Sequence, residues 1–384
     1  MSELSYLEKL LDGVEVKWLP LGHIAAIKTG QSVNKNMISK NPGVYPVINS
    51  GREPLGFINT WNTDNDPIGI TTRGAGVGSV IWQEGKYFRG NLNYSITIDK
   101  KSHINIRYMY HALLHMKNDI HELCTFDGIP ALNAGSLKKL LIPIPCPNIP
   151  EKSLAIQSEI VRILDKFTAL TAELTAELNM RKKQYNYYRD QLLSFEEGEV
   201  EWKTLGDLGE NLDSKRKPIT SGLREAGSIP YYGASGIVDY VKDYIFDGDF
   251  LLISEDGANL LARNTPIAFS ISGKSWVNNH AHVIKFDSYA ERRYVEYYLN
   301  SIDLSPYISG AAQPKLNKKN LESIRIPNPS PEDKERIVSI LDKFDALTNS
   351  INEGLPREIE LRQKQYEYYR DLLFSFPRPE TASN

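Results

Sequence analysis

The longest hydrophobic pattern in the chain runs from residue 154 to residue 195, a stretch without glycine or proline. Apolar residues recur there in alternating steps of four and three, at Ile156, Ile160, Ile163, Phe167, Leu170 and Leu174. This spacing places apolar side chains along one side of an α-helix, as in a coiled coil. It therefore predicts one long helix whose apolar seam packs against another helix.

The seam contains a tandem repeat of Thr-Ala-Glu-Leu, at residues 171–174 and 175–178. Leu178 follows Leu174 by a second step of four, and Tyr185, Tyr188 and Leu192 then restore the alternating pattern. Such a stutter locally unwinds a supercoil but keeps the apolar stripe on one side. One tetrad lengthens a helix by about 6 Å and turns its end by only about 40° beyond a full turn. We infer that the number of tetrads sets a length.

A second helical pattern follows residue 330, and the stretch at 348–362 is four residues longer than its counterpart in the first pattern. Gly354 and Pro356 lie within this stretch. Glycine commonly ends a helix and proline commonly opens one. The sequence therefore predicts either a helix end with a new start or a kink.

Two blocks of about 120 residues lie between these helical regions and have a different pattern, of short β-branched and aromatic runs separated by Gly, Asn and Asp turns. The predicted strands include YPVIN (45–49), IGITT (68–72), YSITID (94–99), DFLLIS (249–254) and HVIKF (282–286). Each block also contains a helical stretch, NIRYMYHALLHM (105–116) or ERRYVEYYLNSI (291–302). Prolines then mark the exit from each block.

The chain is built from two copies of one plan. Two motifs recur at an offset of 184, VEVKWLPLG (14–22) as VEWKTLG (200–206) and LKKLLIPIP (137–145) as LESIRIPNP (321–329). Two helical motifs recur at offsets of 177 and 181, IVRILDKFTALT (160–171) as IVSILDKFDALT (337–348) and RKKQYNYYRDQLLSF (181–195) as RQKQYEYYRDLLFSF (362–376). The N-terminal SYLEKLLDGVEVKW (5–18) also resembles YRDQLLSFEEGEVEW (188–202), so the repeat is circular.

Together these patterns predict an α+β fold with two globular mixed α/β domains, separated by two long antiparallel coiled-coil helices in a pseudo-two-fold circular arrangement. The predicted segments are an N-terminal helical segment (1–13), a first domain (14–145), a first helical spacer (146–199), a second domain (200–329) and a second helical spacer (330–384).

The composition changes this picture little: 41% of the 384 residues are hydrophobic and 24% are charged, as in an ordinary globular protein. The net charge of −3 is unevenly distributed. Residues 14–145 hold 14 Lys and Arg against 9 Asp and Glu, whereas residues 200–329 hold 15 against 16. A basic region is compatible with nucleic-acid binding in a chain that is acidic overall. Two cysteines and no long apolar run predict a cytoplasmic protein without a membrane partner.

Clusters that could suggest an active site match enzymatic motifs only superficially. RGAGVGS (73–79) lacks the Lys-Ser/Thr ending of a P-loop and the last glycine of a dinucleotide fingerprint. Asp66 with Glu84 and Lys86 could imitate a magnesium-dependent nuclease site, but such spacing is common by chance. Zinc-like spacing joins His111, His115, His121 and Cys124, yet ordinary histidines on an amphipathic helix account for it. We predict a non-catalytic chain without a metal site.

Both blocks carry side chains that can address DNA. Arg and Lys pair with guanine or neutralise phosphates, Asn and Gln pair with adenine, and Glu accepts from cytosine. The candidates in the first block are Lys28, Gln31, Asn34, Lys35, Arg73, Arg89, Asn91, Asn93 and Tyr94. Those in the second are Lys215, Arg216, Lys217, Glu255, Asn278, Asn279, His280, Gln313, Lys315 and Asn317. The alternative, that these loops are simply polar, stays open for each residue. His280 and His282 alternate along a predicted strand, so one should be exposed and the other packed.

The spacers carry their own candidates, for packing between helices or for contact with a partner protein. They are Phe167, Leu170, Leu174, Leu178, Tyr185 and Tyr188 in the first spacer, and Phe344, Leu347, Tyr366 and Tyr369 in the second. Aromatic residues are common at protein interfaces, but they are equally suited to packing two helices together.

The alternation of variable and repeated regions, the QYNYYRDQLLSF and QYEYYRDLLFSF motifs and the circular layout resemble the specificity subunits of type I restriction–modification systems. The tandem TAEL resembles the IC subgroup. The resemblance covers essentially the whole chain. It implies two target recognition domains, each reading half of a split DNA site, with a helical spacer that fixes the unread gap.

The resemblance also implies partners: double-stranded DNA, two modification subunits that methylate adenine, and restriction subunits that translocate and cut DNA. S-adenosylmethionine, ATP and Mg²⁺ would belong to those partners and not to this chain. Two other classes of function remain open from the residues alone. One is a protein-binding scaffold or adhesin that dimerises through its helices. The other is a self-sufficient nuclease or methyltransferase, against which the missing catalytic motifs argue.

Overall fold

A computed structural model describes residues 6–51, 53–196, 198–310, 313–350 and 352–378. The chain forms two compact units. Unit 1 comprises Met1–Glu173 together with Ile359–Asn384, and unit 2 comprises Leu174–Glu358. Within the described residues, every helix is too short or too polar to cross a lipid bilayer. Parts of the predicted segments 1–13 and 330–384 lie outside the described residues, at 1–5, 351 and 379–384.

Unit 1 combines small β-sheets with helices. Its strands are β1 (Val16–Pro20), β2 (Ala25–Thr29), β3 (Pro42–Ile48), β4 (Phe57–Ile58), β5 (Thr63–Asp64), β6 (Ile68–Thr71), β7 (Val80–Trp82), β8 (Lys86–Arg89), β9 (Asn93–Ile98), β10 (Cys124–Thr125), β11 (Ala131–Leu132) and β12 (Leu141–Pro145). Its helices are α1 (Tyr6–Leu11), α2 (Leu21–Ile24), α3 (Lys35–Lys40), α4 (Ile106–His115), α5 (Lys117–Glu122), α6 (Ala134–Leu137) and the first part of α7 (Pro150–Leu193). Unit 1 also includes the end of the last helix, from residue 359 to Leu373.

Two four-stranded sheets organise unit 1, in the orders β2-β9-β6-β7 and β4-β3-β8-β5. Strand β1 pairs with β12 and β10 pairs with β11. The core lies between the first sheet, α4 and the spacer helices. It includes Ile70 and Ile96 from the sheet, Met109 from α4, and Leu373 and Phe374 from the C-terminal region.

Unit 2 contains a larger, six-stranded sheet. The strands of unit 2 are β13 (Glu201–Thr204), β14 (Glu210–Asn211), β15 (Ala226–Gly233), β16 (Gly236–Val241), β17 (Phe246–Ser254), β18 (Ala268–Val277), β19 (Ala281–Lys285) and β20 (Arg325–Asn328). Its helices are the second part of α7, α8 (Leu205–Leu208), α9 (Asn259–Ala262), α10 (Tyr289–Ser301), α11 (Lys318–Glu322), α12 (Pro331–Thr348) and the start of α13 (Gly354–Leu373). The sheet order is β14-β19-β17-β18-β15-β16, and β13 pairs with β20.

The repeat predicted from the sequence is conserved in strand register. Trp18 lies opposite Pro143 in the β1–β12 pair, and Trp202 lies opposite Pro327 in the β13–β20 pair. Both residues of the second pair follow those of the first by 184 positions, as the sequence repeat predicts. The mixed α+β fold with two globular units and long helices is confirmed.

The predicted helices form where local capping allows them. Asn105 precedes α4 and accepts hydrogen bonds from the Arg107 and Tyr108 amides, and Ser288 caps α10 by accepting from the Glu291 amide. Strands β3, β6, β9, β17 and β19 coincide with the runs predicted as strands to within one residue at the C-terminal end. The prediction of one long first-spacer helix is confirmed by the 44-residue helix α7.

The second spacer is interrupted, as Gly354 and Pro356 predict. Helix α12 ends at Thr348 and α13 begins at Gly354, whose φ is +74°. A Cβ at Gly354 would lie 2.3 Å from the Ala346 carbonyl oxygen. A side chain at this position would therefore clash with the end of α12 as well as strain the backbone.

The buried side of α7 is broader than the predicted seam. Leu164 is fully buried although the seam did not include it, whereas Leu170, a predicted seam residue, is 36% exposed. The reason is that α7 packs on two sides in unit 1: Asp165 bonds to Arg107 of α4, and Phe167 stacks on Tyr369 of α13. The bounds of the five predicted segments stay predictions, since each compact unit takes part of both spacers.

Candidate nucleic-acid interface

One edge of the first sheet of unit 1 brings together several predicted DNA-binding residues. Thr29 of β2 pairs with Tyr94 of β9, and Thr71 of β6 pairs with Asn93. The ends of β2 and β6 and the start of β9 therefore meet at this edge. Four predicted side chains are exposed on or next to it: Lys28, Gln31, Arg73 and Asn91.

A groove of about 350 Å³ opens beside this edge. Lys28, Gln31 and Arg89 line it, together with polar residues from the β5 region and from β9: Asn62, Thr63, Asp64, Asp66, Ser95 and Thr97. Asp66 accepts a hydrogen bond from the Thr97 hydroxyl at 2.7 Å, so part of this lining is fixed. The lining therefore offers both hydrogen-bond donors and hydrogen-bond acceptors, which recognition of base edges in a major groove requires.

Arg89 and Asn93 do not match the prediction of direct DNA contact, because both side chains are buried. Arg89 Nη1 donates to Asn93 Oδ1 at 2.5 Å, and Nη2 donates to the Asp66 carbonyl at 2.7 Å and to the Tyr87 hydroxyl. Burial lowers the pKa of Arg89 and raises the pKa of Tyr87 to about 12. Gly69 leaves room for this network, because a Cβ there would lie 2.5 Å from Asn93 Oδ1. Arg89 therefore stabilises the wall of the groove through hydrogen bonds inside the unit.

Asn34, Lys35 and Tyr94 have separate surroundings. Asn34 is the N-cap of α3 and accepts a hydrogen bond from the Met37 amide at 2.8 Å. Lys35 is exposed in the first turn of that helix, and Tyr94 packs partly buried against the core of unit 1. Of the three, Lys35 is the charged residue, and its exposed ammonium group is accessible to a phosphate.

The corresponding edge of unit 2 contains a buried ion-pair network. Arg216 donates to Glu255 at 2.6 Å and lies 3.3 Å from Asp213, and His282 Nδ1 lies 2.6 Å from Asp213. Burial opposes ionisation of both carboxyl groups, but hydrogen bonds from Arg216 and Lys315 keep the pKa of Glu255 below its usual value. Hydrogen bonds from His282 and the Val283 amide likewise keep the pKa of Asp213 low despite burial. Arg216 and Glu255 therefore support the edge and present little surface to DNA, which differs from the prediction of direct contact.

An exposed layer covers this network. Lys215, Lys217, Asn279, His280, Gln313 and Lys315 are all exposed at or near the edge. His280 Nδ1 lies 2.8 Å from Asp256, and Lys315 Nζ lies 3.0 Å from Glu255. His282, by contrast, is 1% exposed. The predicted alternation of one exposed and one packed histidine is confirmed.

Asn278 and Asn317 also differ from the prediction of base contact. The Asn278 side chain is buried and accepts a hydrogen bond from the His280 amide at 2.8 Å. Asn317 is the N-cap of α11 and accepts from the Asn320 amide at 3.0 Å. Asn133, 184 positions earlier, caps α6 in the same way, and this repeated Asn was a sequence signal for a capping role.

The two edges are built alike but carry different side chains. A β-bridge joins Arg73 to Ala131 in unit 1, and another joins Asp256 to Lys315 in unit 2. The next residue donates its amide to a proline carbonyl in each case, Gly74 to Pro130 at 2.9 Å and Gly257 to Pro314 at 3.3 Å. RGAGVGS is accordingly a turn between β6 and β7. The same backbone therefore presents a cation in unit 1 and an acid with a lysine in unit 2.

The clusters considered for catalysis are engaged in separate contacts. His111 bonds to Asp165 and Tyr366, His115 bonds to Asp371, and the His121 ring packs at a tilt against Phe126. Within the described part of the chain, the group with ligand spacing for a metal is Asp213, Glu255 and His282. Arg216 already neutralises its carboxylates, so we interpret this group as an ion-pair network.

Sequence reasoning missed a pair of repeated anchors between the variable blocks and the spacer helices. In unit 1, Arg107 of α4 bonds to Asp165 of α7 at 2.5 Å. In unit 2, Arg293 of α10 bonds to Asp342 of α12 at 2.9 Å. Asp165 and Asp342 occupy the same place in the two ILDKF motifs, which was the available signal.

The tyrosines of the spacers divide into packed and exposed groups. Tyr185 packs against the core of unit 2, and Tyr366 packs against the core of unit 1. Tyr188 stacks on Phe344 and Tyr369 stacks on Phe167, and the two tyrosines stay 46% and 39% exposed. Leu174, Leu178, Phe344 and Leu347 are partly buried. The most exposed tyrosines are Tyr187 and Tyr368, at 62% and 65%, and they offer the clearest surface for a partner.

Comparison with known proteins gives consistent matches along the whole chain. The family model described as "Type I restriction modification DNA specificity domain" matches residues 13–181 and 197–361. The specificity subunit of the type I restriction enzymes EcoR124I and EcoR124II from Escherichia coli is 43% identical, with 100% of both chains covered. The EcoprrI specificity subunit from the same species is 37% identical, over 92% of this chain and 93% of the relative.

A solved structure shows the same fold. The S subunit of a type I restriction–modification system from M. genitalium aligns with a TM-score of 0.66 at 19% identity, covering 98% of this chain and 99% of that one. The two family domains occupy the two repeated halves of the sequence. The chain belongs to the family of type I restriction–modification DNA specificity proteins and contains two copies of its characteristic domain.

Proposed function

We propose that this chain is a sequence-specific DNA recognition subunit of a type I restriction–modification complex and reads a bipartite site. One half-site would be read at the exposed edge of unit 1 and the other at the exposed edge of unit 2. The chain itself would carry out no chemistry. The family assignment favours this function over a protein-binding scaffold.

The observation that carries the proposal is the pair of edges built on one backbone framework with different side chains. Arg73 and Ala131 lie at one edge where Asp256 and Lys315 lie at the other. A subunit that read two identical half-sites would need the same side chains twice. Different donors and acceptors favour two different half-sites.

The tandem tetrad of α7 is proposed to set the number of unread base pairs between the half-sites. An added tetrad extends a helix by about 6 Å, and one base pair rises about 3.4 Å. The tetrad is therefore of the right size to change the gap by one or two base pairs. Membership of the IC subgroup stays a prediction.

The proposed partners are double-stranded DNA, two modification subunits and the restriction subunits of the complex. S-adenosylmethionine, ATP and Mg²⁺ would be bound by those subunits. The exposed Tyr187 and Tyr368, at repeated positions of α7 and α13, are suited to equivalent contacts with two copies of one partner.

The test is a methylation map. The chain would be co-expressed with its modification subunit in a host without adenine methylation, and methylated adenines would be located by single-molecule sequencing. We expect one bipartite motif with two different halves and a fixed gap. Expression of the chain without the modification subunit should give no methylation.

Two results would contradict the proposal. Methylation by the chain alone would show that it is catalytic. The absence of a bipartite motif, with the assembled complex intact by size-exclusion chromatography, would show that it does not direct the modification subunit. Duplex DNA containing the motif should also be bound in a salt-sensitive, sequence-selective manner.

A further inference from the structure

The side chain of His280 is half exposed, yet the residue is fixed at three points. Its amide donates to Asn278 Oδ1 at 2.8 Å. Its carbonyl accepts from the Glu255 amide at 2.9 Å. Its ring nitrogen Nδ1 contacts the Asp256 carboxylate at 2.8 Å. Two of these contacts fix the backbone and the third orients the ring, so the ring is held in place while half of the side chain stays open to contact from outside the unit.

The carboxylate of Asp256 determines which ring nitrogen of His280 carries the proton. An ionised carboxylate only accepts hydrogen bonds, so Nδ1 must be the donor. In the neutral imidazole the other ring nitrogen, Nε2, is then an acceptor. In the major groove, cytosine N4 and adenine N6 are the amino groups that could donate to it.

Lys315 lies on the other side of the same segment. Leu316 donates its amide to the Glu255 carbonyl at 2.7 Å, and Asp256 forms a β-bridge with Lys315. Residues 280 and 315 therefore flank 255–256 at neighbouring-strand spacing, about 4.8 Å on each side. The ammonium group of Lys315 contacts buried Glu255 at 3.0 Å while its side chain stays 51% exposed. An ammonium group has three donors, so others remain for guanine O6 or N7.

We infer that His280 and Lys315 are specificity-determining residues of unit 2 that read one G·C base pair in the major groove. Lys315 donates to guanine, and His280 Nε2 accepts from the amino group of cytosine on the opposite strand. Asp256 is a positioning residue that holds the ring, and Glu255 holds the lysine. This inference rests on the proposed function and names the residues that carry it out in one half-site.

Unit 1 carries different readers on the same framework. Ala131 occupies the position of Lys315, and Arg73 occupies that of Asp256. Leu92 precedes Asn93 as His280 precedes Ala281 in the equivalent strand pairs. Arg73 is exposed and is the matching candidate reader in unit 1, so its replacement identifies the half-site that belongs to unit 1.

The experiment compares methylation maps of the co-expressed complex carrying single substitutions. His280→Ala and Lys315→Met are expected to relax the motif at the same G·C base pair of one half-site. Discrimination against other bases there should fall about tenfold, while the gap and the other half-site stay unchanged. Arg73→Ala should relax only the opposite half-site. Asp256→Asn should relax the G·C pair less than His280→Ala does.

A matched control is available on β19, the strand that directly follows His280. Lys285→Met changes an exposed lysine at the opposite end of β19 and should leave the motif intact. An unchanged motif in His280→Ala and Lys315→Met would overturn the inference, as would relaxation at an A·T pair. Equal loss of methylation at all sites without a changed motif would also overturn it, since that is the result of damaged folding. A wild-type complex without a bipartite motif would instead refute the proposed function.

Discussion

Phe167 stacks on Tyr369, with 5.1 Å between ring centroids and 19° between ring planes. Phe344 stacks on Tyr188 in the same way, at 5.7 Å and 27°. Phe167 and Phe344 occupy equivalent positions of the repeat, and so do Tyr188 and Tyr369. Each unit therefore joins the first helical motif of one repeat to the second helical motif of the other.

Removing either aromatic pair should weaken one unit. Tyr369→Leu is expected to lower the free energy of unfolding of unit 1 by about 1 kcal/mol, because the stacking interaction is lost. A double-mutant cycle with Phe167→Leu, measured by chemical denaturation, should give a coupling of about 0.5–1.5 kcal/mol. Tyr368→Leu, at a 65% exposed side chain, is the matched control and should show no coupling to Phe167.

Stability of unit 1 should depend on pH through His111. Burial lowers the pKa of this fully buried imidazole from 6.5 to about 4. Between those values the unfolded chain binds a proton that the folded chain does not, so stability falls as the pH drops from 6.5 to 4. The loss should reach about 3 kcal/mol.

Thermal or chemical unfolding of wild type and His111→Gln across this range would measure the effect. The variant should lose most of the pH dependence in this window, whereas His121→Gln, at an exposed residue, should retain it. An equal pH slope in wild type and His111→Gln would contradict the assignment to His111.

Asp165 contributes to stability in a different pH range. Burial opposes its ionisation, but hydrogen bonds from Arg107 and His111 lower its pKa, so its contribution is lost only below pH 3.8.

A third TAEL tetrad, inserted after Leu178, should lengthen the unread gap by one or two base pairs. The inserted turn adds about 6 Å to the helix with about 40° of extra rotation, so the apolar stripe stays in place. Methylation mapping should find both half-sites unchanged. Four residues inserted next to Gly198, beyond the end of α7, serve as the control and should not alter the gap. An unaltered gap in the TAEL variant would mean that the tetrad does not measure length.

Lys28 and Lys35 should contribute phosphate contacts. Replacing both with alanine is expected to weaken binding to all DNA sequences and to reduce the slope of log K against log salt by about 2, one counterion for each lysine. Fluorescence anisotropy of the assembled complex at several salt concentrations would show this. Lys100→Ala with Lys101→Ala, beyond the opposite end of β9, should leave the slope unchanged. Similar slopes in both double variants would place the lysines away from the DNA.

Arg89 should matter for stability. Arg89→Met removes the hydrogen bonds to Asn93 and Asp66 inside the unit and should destabilise unit 1 by about 3 kcal/mol. Lys28→Met, in the lining of the same groove, should change stability little and DNA affinity more. Unchanged stability with weakened DNA binding in Arg89→Met would restore the prediction of direct contact.

Much of the architecture could be predicted from local pattern. The 184-residue offset placed Trp18 and Trp202 in equivalent strands, and Gly354 marked the break in the second spacer. These features follow from spacing and backbone preference, which neighbouring residues determine. Alternation along a strand likewise predicts that one of His280 and His282 is exposed and the other packed, without knowledge of the rest of the chain.

The partners of buried charges could not be predicted in this way. Arg89 bonds to a carbonyl 23 positions earlier, and Arg216 bonds to a carboxylate 39 positions later. A polar residue in a loop has the same local pattern whether it faces solvent or a distant acid. The breadth of the buried side of α7 escaped prediction for a related reason, because Leu164 is covered by elements far from it in the sequence.

The position of Leu373, Phe374 and Phe376 in the core of unit 1 has a consequence for biosynthesis. Unit 2 can complete its interior while residues 359–378 are still within or near the ribosome. Unit 1 contains the strands that are synthesised before unit 2, but its core is complete only when these three C-terminal residues are available. Unit 1 is therefore the first to begin synthesis and the last to complete its core.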